Sequence, residues 1–275
     1  SGATLDGRGE YFRKQGAIGY RQILLWALPA SVLFIVLRAH IVRVVLGSGV
    51  FDWADTRLVA AILGVLAVAI ISESLVPLVL RAFYALGRSR DPLLWDIVGS
   101  LLTVLWALGF TAWFAVDPGV LDGLARIFRI GDLPNPKILG IAAAFSLGSL
   151  ANIVLLATAL RRATRKRLGV ELAFPGASIA SLLGAAVLGG AAAYGALIPF
   201  PALISTNTFA GIFSQGLFAG IVGLAAYASA LAWQKNPEIM GLIKSFRERL
   251  ISLRKMPQVY ETEKLDGEGT REGRG

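Results

Sequence analysis

Six apolar stretches, at 23–47, 58–80, 93–116, 138–160, 177–198 and 209–233, dominate the chain. Each is long enough to cross a bilayer, for which a helix needs about 20 mostly apolar residues. Inside lipid every backbone N–H and C=O must find its partner within the protein, so runs of this length are expected as helices. Of the 275 residues, 55% are hydrophobic and only 16% charged, where a soluble domain carries about 25% charged residues. The expected fold is all-α: a polytopic membrane domain over 23–233 with six spanning helices, preceded by a polar segment at 1–22.

The charged residues orient these helices, because short cytoplasmic loops collect Lys and Arg. Arg161, Arg162, Arg165, Lys166 and Arg167 crowd the connection after the fourth stretch, while Pro199–Asn207 has no cation. Arg8, Arg13, Lys14 and Arg21, then Arg81, Arg88 and Arg90, then the cations after Trp233 fall on the same side if six helices alternate. Both termini are therefore expected in the cytoplasm. The connection at Val116–Lys137 also carries cations, and its part Leu121–Ile130 reads as a short interfacial helix. At 234–256, Ile239, Leu242, Ile243, Phe246, Leu250 and Leu253 recur at helical spacing among basic residues. That pattern predicts an amphipathic helix on the inner membrane surface. The tail at 257–275 is rich in glycine and charge and is expected to be disordered. The chain opens on Ser1 in mid-pattern, as a piece of a longer protein would.

A net charge of +9 raises the question of nucleic acid. The cations lie between apolar runs and not along one soluble face, so anionic lipid headgroups are the expected partner and nucleic acid is not. With no cysteine and a single histidine, His40, no thiolate or histidine metal centre is expected. Ser31, Ser72 and Ser74 have no histidine partner at a matching depth, and no acidic motif sits on a cytoplasmic loop. The sequence therefore presents no catalytic constellation and no cofactor motif. A membrane enzyme acting on polyprenyl-phosphate sugars would need one.

Charges within the spans carry the functional expectations, because each costs about 2.5–3.5 kcal/mol at a helix centre on insertion scales. At about 1.5 Å per residue, Arg38 lies about 25 Å beyond Arg21, near the outer edge of the hydrocarbon core. It either snorkels to headgroups with His40 and Arg43, or lines the outer mouth of a transport path. Glu73 lies about 12 Å short of Arg81, within the inner leaflet. It is expected either to pair with a cation on a neighbouring helix or to form a cation or proton site coupling transport to an ion gradient or membrane potential. Pro77, one turn later, is expected to bend this helix. Asp96 is expected to pair with Arg88 or Arg90, and Asn152 to hydrogen-bond across helices. Arg81, Arg88 and Arg90, beside Phe83 and Tyr84, read either as a topology signal with an aromatic belt or as a recruiting site for a lipid-linked diphosphate. Gly216 and Gly220 form a small-xxx-small pair suited to close helix packing.

Two stretches resemble a known family. One comprises Tyr11-Phe12-Arg13-Lys14, Leu28-Pro29-Ala30 and Gly47-Ser48-Gly49-Val50-Phe51. The other is Arg81-Ala82-Phe83-Tyr84-Ala85-Leu86-Gly87-Arg88-Ser89-Arg90-Asp91-Pro92. In order and spacing they resemble the MurJ/MviN lipid II flippases. The resemblance implies about fourteen spanning helices in two lobes around a central cavity, of which these would be the last six. It implies lipid II as substrate, a bacterial plasma membrane location, and a front half, carrying most cavity arginines, as partner. Exporters of other lipid-linked oligosaccharides in the same superfamily, and a non-transporting membrane scaffold, are the alternatives.

Overall fold

The computed structural model describes residues 2–47, 53–116, 119–128, 130, 138–172, 176–199, 208–236 and 240. The helices are α1 (Gly2–Leu46), α2 (Trp53–Leu66), α3 (Ala69–Ala85), α4 (Arg90–Val116), α5 (Gly119–Phe128), α6 (Ile138–Leu168), α7 (Gly176–Leu197) and α8 (Phe209–Trp233). Five are long and apolar enough to cross a membrane, and six crossings result if the bent pair α2–α3 counts as one. Among the described residues there is no strand. The expected all-α, polytopic architecture is thus the observed one. The predicted surface helix at 234–256 and the tail at 257–275 lie almost wholly outside the described residues.

The chain divides into two compact units, Ser1–Tyr227 and Ala228–Gly275. In the second, α8 closes in a turn where the Asn236 N–H donates to the Leu231 carbonyl at 3.0 Å. The first contains every feature described below. Within it α6 packs on α4, α3 and α2, while α1 packs on α7, α2 and α3. Large apolar side chains left exposed, such as Leu101, Leu105 and Leu108 on α4, form the surface that a bilayer would cover.

Three boundaries differ from expectation. The stretch at 58–80 is not one helix: α2 and α3 meet at Ala67–Val68 with a bend of 41°. The break is not at Pro77, which α3 accommodates in its interior. Two serines from neighbouring helices support it. Ser31 Oγ donates to the Ala67 carbonyl at 2.7 Å, and Ser146 Oγ donates to the Val65 carbonyl at 2.8 Å. Each carbonyl also accepts from the backbone, Ala67 O from the Ile70 N–H and Val65 O from the Val68 N–H, both at 3.3 Å, so the serines are second donors at the break.

α1 begins at Gly2, so the segment at 1–22 is helical and continuous with the first span. Small residues let it approach its neighbours. A Cβ on Gly16 would lie 3.9 Å from Leu172, and one on Gly19 3.0 Å from Leu78. α6 likewise runs past 160 to Leu168, so the five cations expected in a loop form its last turns. Cations at a helix C-terminus oppose the partial negative charge of the exposed carbonyls there. Gly169, with φ +66°, stops the helix.

Proline also shapes α1. Pro29 lies inside it and has no N–H for the Leu25 carbonyl, four residues earlier. The Tyr227 hydroxyl takes that place, donating to Leu25 O at 2.8 Å. Glycines set the neighbouring contacts: a Cβ on Gly189 would lie 2.8 Å from the Gly223 carbonyl, and one on Gly216 3.3 Å from the His40 Cβ. Gly216 and Gly220 both meet α1, at His40 and Leu37, which is the packing role expected of them.

Candidate functional site

The polar side chains of α3, α4 and α6 converge where the three helices meet. On α6, Ser146, Ser149 and Asn152 recur every three residues, close to one helical turn, and so lie along one face. Ser146 supports the break between α2 and α3. Ser149 donates to the Glu73 carboxylate and lies 2.8 Å from Ser72 Oγ, which in turn reaches the Ala69 carbonyl at 2.9 Å. Asn152 donates from Nδ2 to Asp96 Oδ1 at 3.0 Å. Glu73 and Asp96 thus line one open cavity of about 290 Å³, together with Val76, Ser100, Thr103 and Phe145.

Glycine makes this convergence possible. A Cβ on Gly99 would collide with the Asn152 side chain, and one on Gly148 with Thr103. The two helices therefore meet with Asn152 and Thr103 each laid over a bare backbone, a close approach typical of membrane helices. Thr103 Oγ1 also donates to the Gly99 carbonyl at 3.0 Å. Asn152 Oδ1 is buried and has no hydrogen-bond partner among the described residues. A buried acceptor in this state is costly, and its neighbours across the cavity are carboxylates, which when ionised supply no proton.

The run Glu73–Ser149–Ser72–Ala69 O thus joins α3 and α6 through two hydroxyls.

The other predicted residues lie elsewhere. Arg38 is half-buried between α1 and α5; it donates to the Ile35 carbonyl at 2.8 Å and stands over the Phe128 ring at 5.2 Å. α5, expected at Leu121–Ile130, is the short helix found at Gly119–Phe128, and this cation–π contact joins it to α1. The motif at 81–92 folds as a helix end and a helix start. The Gly87 N–H donates to Tyr84 O at 2.9 Å and the Arg88 N–H to Phe83 O at 3.0 Å. With Gly87 at φ +67°, these bonds form a glycine-terminated C-cap that satisfies the last carbonyls of α3. The Arg167 guanidinium donates to the Leu86 carbonyl beside it.

Arg88 forms an ion pair with Asp91, and Asp96 bonds Asn152 where pairing with Arg88 or Arg90 was expected. Asp91 lies nearer to Arg88 along α4 and leaves Asp96 to Asn152. Arg90 is exposed at the start of α4, whereas Arg81 lines a separate slot. Sequence reasoning identified Glu73 and Asn152 but missed Ser149, Ser72 and Thr103; the three-residue recurrence on α6 was the available signal. Among the described residues no group of three or more His, Cys, Asp or Glu side chains is placed to hold a metal.

A search of curated proteins returned no match, and neither did a search of solved structures. The family profile described as Lipid II flippase MurJ matches residues 3–214. That range takes in α1 to α7 and the start of α8, so the chain belongs to the MurJ family of lipid II flippases, which are transporters of the bacterial inner membrane rather than enzymes.

Proposed function

We propose that this chain forms the last six crossings of a lipid II flippase, with both termini in the cytoplasm. In this reading it moves undecaprenyl-diphosphate-linked peptidoglycan precursor across the plasma membrane by alternating access. The lipid tail stays in the bilayer while lobe rocking exposes a polar path for the head to one side at a time. Arg88 and Arg90, on the cytoplasmic turn, meet the diphosphate on its way in, since guanidinium pairs well with phosphate. Anionic inner-leaflet lipids and the cavity arginines of the front half complete the partners.

The observation that carries the mechanism is the pair of carboxylates, Glu73 and Asp96, held by Ser149 and Asn152 in one cavity. Two carboxylates beside an unmatched acceptor favour uptake of a proton or a monovalent cation. Loading changes the charge of the α3–α4–α6 interface, and an ion gradient acts on the lobe through that change.

The test is complementation in cells depleted of their own flippase. The Glu73→Gln amide can donate to Ser149 and should keep the protein folded and inserted, yet lose at least tenfold in lipid II export and its dependence on the gradient. Wild-type export by Glu73→Gln, with the same response to uncouplers, excludes the coupling role. If depletion of the protein leaves lipid II export unchanged, the transport reading itself fails and a scaffold replaces it.

A further inference from the structure

A second cavity, of about 520 Å³, lies between α1, α3 and α6, at the end of α3 that bears Arg81. Its walls include Leu78, Ile153 and Ala157, and its mouth carries Arg13, Arg81 and Tyr20. No carboxylate lines it; Glu10 makes an exposed contact with Arg13 at 3.5 Å. Leu172 forms a wall shared with the basic face of Arg161, Arg162, Arg165 and Lys166. The slot is thus apolar inside and cationic at its rim.

We propose that this slot binds one acyl chain and the phosphate of an anionic glycerophospholipid from the same leaflet. Leu75 also lines it, and the six residues from Leu75 to Arg81 set its depth at about 9 Å. The rim guanidiniums therefore sit at headgroup level while the walls face hydrocarbon. A helix about 10 Å in diameter and of that length displaces roughly 700 Å³, more than the slot holds, whereas an extended acyl chain is far thinner. Charge selects among lipids. Two guanidiniums, of which Arg13 also has an exposed contact with Glu10, attract phosphate and offer nothing to a zwitterionic head beyond that same phosphate. Gly16 opens the floor toward Leu172, since a Cβ there would stay at 3.9 Å.

The site rests on the membrane reading of the family, but its test does not depend on sidedness or on transport. The complete protein is purified, stripped of lipid and titrated with phosphatidylglycerol or phosphatidylethanolamine, with bound lipid counted by native mass spectrometry. Phosphatidylglycerol should bind at least tenfold more tightly. The double variant Arg13→Glu/Arg81→Glu should bring it to the phosphatidylethanolamine level. Gly16→Phe, which fills the slot and leaves the rim intact, should lose both lipids with an unchanged unfolding midpoint. A photoactivatable phosphatidylglycerol should crosslink to the peptide Tyr11–Arg21 of the unaltered protein, a readout that needs no variant. Equal binding of the two lipids, crosslinks confined to other helices, or displacement of phosphatidylglycerol by an equimolar amount of undecaprenyl diphosphate overturns the proposal, the last by assigning the slot to the transported substrate.

Discussion

At the scale of single residues, the membrane interior makes one hydrogen bond decisive, because water cannot replace it. Tyr227 and Pro29 illustrate this as a pair. Tyr227→Phe leaves the Leu25 carbonyl, which Pro29 has deprived of its helical donor, without a partner, at a cost of about 1–3 kcal/mol. Pro29→Ala restores an N–H to that carbonyl. A double-mutant cycle read by unfolding in detergent should therefore show the Tyr227→Phe penalty shrinking by at least half in the Pro29→Ala background. Equal penalties in both backgrounds would mean that the hydroxyl does not serve that carbonyl. Gly99 is a second such position. Gly99→Val puts a branched side chain where Asn152 lies, and overpacking of this kind costs about 1–3 kcal/mol. The bond between Asn152 and Asp96 should be lost with it, so transport should fall together with the unfolding midpoint.

At the scale of elements, the bend between α2 and α3 depends on two serines that belong to neither helix. Ser31→Ala and Ser146→Ala each leave a carbonyl of the break with only its backbone donor at 3.3 Å, at about 0.5–1.5 kcal/mol each. Amide exchange at Ala67–Ile70 should quicken in each variant and most in the double one; unchanged exchange would show that the break needs no outside donor. This element also marks the limit of what the sequence tells. The stretch at 58–80 is apolar throughout, and hydropathy sees its length and not its continuity. Pro77 was the visible signal for a bend, but α3 absorbs it, and the actual break needs Ser31 and Ser146 from residues far along the chain. The helices themselves, the short α5 and the glycine contacts of α8 were legible, because each rests on a local pattern. The carboxylate cavity was half legible: a carboxylate at the depth of Glu73 calls for a partner, but that the partner is the Ser149 hydroxyl and not the expected cation follows only from how α6 packs on α3. The Asp96 expectation failed for the same reason, since nearness in sequence favoured Arg88 while packing supplied Asn152.

At the scale of the whole molecule, alternation of the crossings makes a prediction independent of any side-chain contact. Reporter fusions at Arg165 and Asn207 should report opposite sides of the membrane, Arg165 inside and Asn207 outside. The same side for both would mean that α7 does not cross. The bent second crossing also bears on how such a chain enters the bilayer. α2 has 14 residues and α3 has 17, about 21 and 26 Å of helix respectively, so neither rod alone bridges a core about 30 Å thick. When the ribosome has delivered the chain only as far as α3, Ser31 is in place but Ser146 has not yet been synthesised, so the joint lacks one of its two side-chain donors. Stable lodging of this bent unit in the translocon's lateral gate must wait for α6, so nascent chains stalled before α6 should remain extractable from the membrane at this segment.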